Sequence, residues 1–106
     1  MKILTSGLDH QLEEIYGEFE ETFGFGPCGA YAAMRREDGW GQVAVSIARI
    51  GKTEFPHYII LDGGIIDLAN PLDGEIEYTE IEALDADEMP DLVDATEIAW
   101  LRERMS

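Results

Sequence analysis

Gln42-Val43-Ala44-Val45-Ser46-Ile47-Ala48-Arg49-Ile50 is the stretch from which the fold can be read. Val43, Val45 and Ile47 alternate with Ala44, Ser46 and Ala48, and a period of two predicts a β-strand with one face of larger residues and one of small residues. Gly51-Lys52 supplies a turn after it. His57-Tyr58-Ile59-Ile60-Leu61 then reads as a second strand, apolar on both faces as a central strand should be, with Pro56 at its beginning where proline is tolerated. Asp62-Gly63-Gly64 turns the chain back through Ile65-Ile66-Asp67-Leu68. Glu75 to Leu84 is a poorer, acidic strand suited to a sheet edge, where charge discourages aggregation.

Helical patterns flank this β-rich middle. Leu12, Ile15, Tyr16, Phe19 and Phe23 recur at spacings of three and four between Asp9 and Phe23, with glutamates on the other faces. Ser6 with Asp9 predicts a capping box at the start of this helix, and Gly24 and Gly26 supply the stop. Pro27 opens a second helix running to about Arg36, because its missing N–H costs nothing at a first helical position. The small residues Gly29, Ala30, Ala32 and Ala33 let neighbours approach that helix closely. Asp94 to Met105 reads as a last helix with Ile98, Leu101 and Met105 on one side. The expected fold is α+β, a single domain over residues 1–106. An antiparallel sheet of three to four strands, from about Gln42 to Leu84, packs against two N-terminal helices and a C-terminal helix.

With 45% hydrophobic and 28% charged residues the chain can form a packed core, yet its net charge is −16. No Lys or Arg occurs between Lys52 and Arg102, a stretch holding fourteen carboxylates, ten of them from Asp73 to Asp94. Such a field repels nucleic acid and anionic membranes and attracts basic protein surfaces. No apolar run reaches the length of a membrane span, and Met1-Lys2-Ile3-Leu4-Thr5-Ser6 turns polar too soon for a signal peptide, so a cytoplasmic location is expected. The single cysteine, Cys28, excludes an internal disulfide and suits a reducing compartment.

Cys28 falls at the start of the second helix, where unpaired N–H groups and the helix dipole favour thiolate. A nucleophilic cysteine needs a base. His57, at the opening of a strand, is better placed for this than His10, which lies in the first helix. A third residue should accept a hydrogen bond from the imidazole, and hairpin register selects it. A three-residue loop, Asp62 to Gly64, sets Asp67 opposite Ile59 and diagonal to His57. A two-residue loop, Gly63-Gly64, sets Asn70 opposite His57 instead. The three-residue loop is preferred, because a carboxylate supports an imidazolium more strongly. Free cysteine is also among the most buried residue types, so packing alone would account for Cys28. One Cys and two distant His give no zinc spacing, and Gly24, Gly26 and Gly29 follow a helix and lack the Lys of a phosphate loop; neither a metal nor a cofactor is expected.

Gly26-Pro27-Cys28-Gly29-Ala30-Tyr31-Ala32 together with Pro56-His57-Tyr58-Ile59-Ile60-Leu61-Asp62-Gly63-Gly64-Ile65-Ile66-Asp67 resembles the core of the papain-like cysteine hydrolases. The same order of Cys, His and Asp occurs in small proteins of phage and plasmid type. The resemblance implies Cys28 as nucleophile, His57 as general base and Asp67 as orienting residue of a thiol hydrolase or acyl transferase. It covers about the middle third of the chain. It departs from the larger enzymes in lacking an upstream oxyanion-hole glutamine, since Gln11 lies in a helix far too early, and in lacking the length for an extended substrate cleft. A different expectation rests on charge alone: a non-enzymatic acidic protein that mimics nucleic acid and blocks a basic protein surface, as phage anti-defence inhibitors do. Its candidate residues are Asp73, Glu75, Glu77, Glu80 and Glu82.

Overall fold

The computed structural model describes residues 1–72 and 74–105. In chain order the elements are β1 (Ile3–Ser6), α1 (His10–Phe23), α2 (Cys28–Glu37), β2 (Gln42–Ile50), β3 (Thr53–Leu61), β4 (Ile65–Asp67), β5 (Ile76–Ala83), α3 (Met89–Leu92) and α4 (Ala95–Arg104). The α+β class is as expected. The sheet is larger than expected and mixed: five strands in the order β1-β4-β3-β2-β5, with β1 parallel to β4 and the remaining pairs antiparallel.

The expectation of three to four antiparallel strands omitted β1, whose four residues have no alternation of their own and are all exposed. Its place comes from a distant partner, with Ile3 opposite Ile65 and Ser6 opposite Asp67. Gly64 makes room for it, because a Cβ there would lie 2.7 Å from both the Lys2 carbonyl oxygen and Leu4 Cγ. The β3–β4 register, Leu61 with Ile65 and Ile60 with Ile66, fits the three-residue loop and, continued by one pair, sets Asp67 opposite Ile59.

The sheet is strongly curled. β4 and β5 are separated by β3 and β2, so on a flat sheet they would lie roughly 14 Å apart at a spacing of about 4.8 Å per strand. The Tyr78 hydroxyl of β5 nevertheless donates a hydrogen bond to Asp67 Oδ2 of β4. The small face of β2 explains the closeness: Ala44 and Ala48 are fully buried and Ser46 is 3% exposed, leaving the concave side narrow enough for facing side chains to meet. Ile59, Ile65, Leu61 and Ile81 fill the rest of that side.

The other face carries Val43 and Ile60 against the helices. α2 lies centrally, packed on β3, β2 and α4, and its run from Gly29 to Met34 is buried throughout, as its small residues allow. α1 seals the outside through Leu12 and Phe19, with Phe19 and Phe23 edge-on to Trp100 of α4 at 5.4 and 6.0 Å. Two expected helix starts shift. The cap of α1 is Asp9 alone, accepting from the Gln11 N–H at 2.9 Å, while Ser6 belongs to β1. Pro27 precedes α2 as its N-cap, so Cys28 is the first helical residue and not the second.

Candidate active site

The sulfur of Cys28 is placed by the start of α2 and by an unpaired stretch of β3. Pro27 offers no capping side chain, so nothing competes for the first N–H groups of the helix. The backbone N–H groups of Gly29 and of Tyr58 in β3 are near enough to the Cys28 sulfur to favour its thiolate. Tyr58 has a free N–H to give because β4 pairs only with Ile60 and Leu61 and leaves that side of β3 open. Pro56, two residues earlier, directs its nitrogen to the same open side, which is why β3 tolerates a proline. β3 in fact begins at Thr53, so His57 stands within the strand rather than opening it, opposite Ser46 of β2.

His57 is 3% exposed, and its Nε2 lies 2.8 Å from Asp67 Oδ1. A carboxylate only accepts, so Nε2 carries the proton of this bond and Nδ1 is left without a hydrogen bond among the described residues; Cys28 and the ring are near enough for each to shift the titration of the other. Asp67 is wholly enclosed. Its Oδ1 accepts a second hydrogen bond from the Ala69 N–H at 3.3 Å, and its Oδ2 accepts from Tyr78. The side chain of Asn70 is engaged elsewhere: its Oδ1 accepts from the Leu72 N–H at 3.0 Å. Of the two sequence candidates for the third position, Asp67 is the one beside His57.

Burial pushes the Cys28 thiol up, but the nearby His57 ring and its positive charge, with the N–H groups of Tyr58 and Gly29, outweigh it and hold the thiol below its ordinary value. Burial works against the imidazolium as well. The Asp67 hydrogen bond and charge, joined by Cys28, raise His57 from 6.5 to about 9. The two shifts have one meaning: both favour the thiolate–imidazolium pair over the neutral pair. Of Cys28, His57 and Asp67, Cys28 alone is half-buried and the other two are buried, so the sulfur is the part nearest solvent.

Two tyrosines belong to the site that sequence reasoning did not select. Tyr78 alternates inward with Ile76 along an otherwise acidic strand, and that periodicity was a usable signal. Tyr16 comes from the middle of α1, where it reads as one more apolar position; its hydroxyl lies over Gly26, and it feels the charges of Cys28 and Asp67. His10 and Gln11 lie in the first turn of α1, exposed. Among the described residues no group of three or more His, Cys, Asp and Glu is arranged to hold a metal ion, and no helix is long and apolar enough to cross a membrane. Glu75, Glu77, Glu80 and Glu82 are exposed on or beside the edge strand β5, where Glu77 pairs with Arg49; Asp73 lies outside the described residues.

Comparison with protein families, with curated proteins and with solved structures found no match to this chain.

Proposed function

We propose that the protein is a small papain-like thiol hydrolase or acyl transferase acting on an amide, ester or isopeptide, with Cys28 as nucleophile, His57 as general acid and base, and Asp67 as orienting residue. The observation that carries this reading is the bond of His57 Nε2 to an enclosed carboxylate beside the only cysteine of the sequence, whose thiol that histidine helps to hold below its ordinary value. In the first step the Cys28 thiolate adds to the carbonyl carbon and the carbonyl π electrons move to oxygen. Collapse re-forms the carbonyl and expels the amine or alcohol, which takes its proton from the His57 imidazolium, leaving a thioester. Neutral His57 then removes a proton from water, or from an acceptor amine, whose attack releases the acid or the transferred acyl group and regenerates the thiolate.

Iodoacetamide alkylation against pH tests the nucleophile without knowledge of the substrate. The expected rate falls off at lower pH than that of an ordinary thiol and drops at least about tenfold at pH 6.5 in His57→Ala. A rate that follows an ordinary thiol pKa of about 8.5 overturns the reading. The acidic binder of the alternative reading depends on the β5 glutamates and not on sulfur, so Cys28→Ala separates the two: it abolishes catalysis and leaves charge-driven binding intact.

A further inference from the structure

A thiolate and a base do not complete an acyl-transfer site. The oxygen of the tetrahedral intermediate needs donors already in place, and removing one such donor typically lowers turnover by about 100- to 1,000-fold. One donor is inherent in the fold: Cys28 is the first helical residue, so its own N–H has no acceptor within α2. The upstream glutamine, Gln11, is exposed in the first turn of α1.

Among the described residues, the Tyr31 hydroxyl donates to Asp9 and the Tyr78 hydroxyl to Asp67, whereas the half-buried Tyr16 and Tyr58 hydroxyls make no hydrogen bond. The Tyr58 ring packs at Gly29 beside Val93 and feels Glu97 as well as Cys28, while Tyr16 lies over Gly26. Its position is set by Gly26, two residues before Cys28, where a Cβ would stand 2.9 Å from the Tyr16 oxygen. The glycine therefore leaves the space into which the phenol extends. Burial, with the charges of Cys28, Glu20 and Asp67, raises Tyr16 to about 12, so the group remains a protonated donor at neutral pH.

We propose that Tyr16 is a catalytic residue that donates its O–H to the oxyanion formed when the Cys28 sulfur adds to a carbonyl, the Cys28 N–H being the second donor. This rests on the thiol-hydrolase reading, and the test keeps the two apart. Alkylation by iodoacetamide displaces iodide and forms no oxyanion, whereas a simple aliphatic aldehyde such as butanal adds reversibly. Sulfur bonds to the carbonyl carbon and the π pair moves to oxygen, giving an oxyanion that takes a proton from the His57 imidazolium to form the neutral hemithioacetal. The oxygen accepts the Tyr16 O–H in either form, and the dissociation constant reads both.

The measurements are the alkylation rate and the aldehyde dissociation constant, taken from protection against alkylation, for the parent, Tyr16→Phe and Gly26→Ala. The expected result is aldehyde binding weakened about ten- to a hundredfold in Tyr16→Phe and weakened also in Gly26→Ala, whose methyl displaces the hydroxyl, with alkylation rates within about twofold of the parent. Unchanged aldehyde affinity in Tyr16→Phe overturns the proposal. So does a loss of alkylation equal to the loss of aldehyde binding, since Tyr16 would then act on the thiolate and not on the oxyanion. A parent thiol with an unshifted alkylation profile overturns the hydrolase reading itself.

Discussion

The protein contains the same small polar device twice, once as a clamp and once at the thiol. Asp9 accepts from a backbone N–H two residues on (Gln11, 2.9 Å), from a tyrosine hydroxyl (Tyr31, 2.7 Å) and from a cationic side chain (Arg35, 3.3 Å). Asp67 accepts from Ala69 N–H two residues on, from the Tyr78 hydroxyl and from His57. The difference lies in the cation and in burial. Arg35 keeps its proton at every ordinary pH and the Asp9 side chain is 16% exposed, so that cluster ties α1 to α2 and does nothing further. His57 can release its proton, and Asp67 is wholly enclosed, so the second cluster holds a charge that a neighbouring sulfur can use. The same three kinds of donor on a carboxylate thus give a fixed structural tie or a titrating cluster according to whether the cation can release its proton.

The sharpest way to break the comparison is to remove each carboxylate. Asp67→Ala leaves a buried imidazole and a phenol without partners and is expected to destabilise by about 3–5 kcal/mol. Asp9→Ala, at a partly solvated cap, is expected to cost about 1–2 kcal/mol. Urea denaturation followed by circular dichroism reads both. Equal losses would mean that enclosure of Asp67 adds nothing. Alkylation at pH 6 is expected to collapse in Asp67→Ala alone.

Deleting a single hydroxyl sharpens the contrast at smaller amplitude. Tyr78→Phe and Tyr31→Phe each remove one bond to a carboxylate and should each cost about 1–3 kcal/mol. Only Tyr78→Phe should shift the pH profile of Cys28 alkylation. A shift of the same size in Tyr31→Phe would show that the profile reports general loosening of the fold.

The smallest effect is the pH dependence of stability, read most simply in Cys28→Ala, where thiol titration is absent. His57 is raised in the folded protein, so its contribution is complete below its unfolded value of about 6.5 and is lost as pH rises; in the parent the folded value is about 9. Without the Cys28 contribution the window opens near 6.5 and closes at or below that upper value. Asp9 behaves oppositely. Although burial raises it, Tyr31, the Gln11 N–H and Arg35 leave it below the ordinary carboxylate value, so its contribution is present above about 3.9 and is lost as pH falls through the depressed folded value. Melting temperatures of Cys28→Ala should fall by a few degrees from pH 6.5 to 9. A flat profile there would mean that His57 gains nothing from Asp67.

What the sequence by itself determined is what neighbouring residues decide among themselves. The α1 stripe through Leu12 and Phe19, the alternation of β2, the three-residue β3–β4 loop, the acidic edge position of β5 and the place of Cys28 at a helix start all follow from spacing, turn chemistry or capping within a few residues. The diagonal relation of Asp67 to His57 follows in turn from loop length, because a hairpin transmits register rigidly. Tertiary structure alone decided the rest. β1 is a strand only because β4 and the bare Gly64 accept it, and a parallel partner some sixty residues away leaves no local period to read. β5 reads poorly because it bulges: Glu80 has φ +51°, and the register with β2 shifts between Val45 and Ile47, which breaks the alternation that marks a strand. Tyr78 reaches Asp67 across two intervening strands only because the small residues of β2 let the sheet curl, and Tyr16 comes to Gly26, two residues before Cys28, only because α1 is laid over that glycine. Contacts of that kind depend on how separate elements close on one another, and no short window of sequence contains both partners.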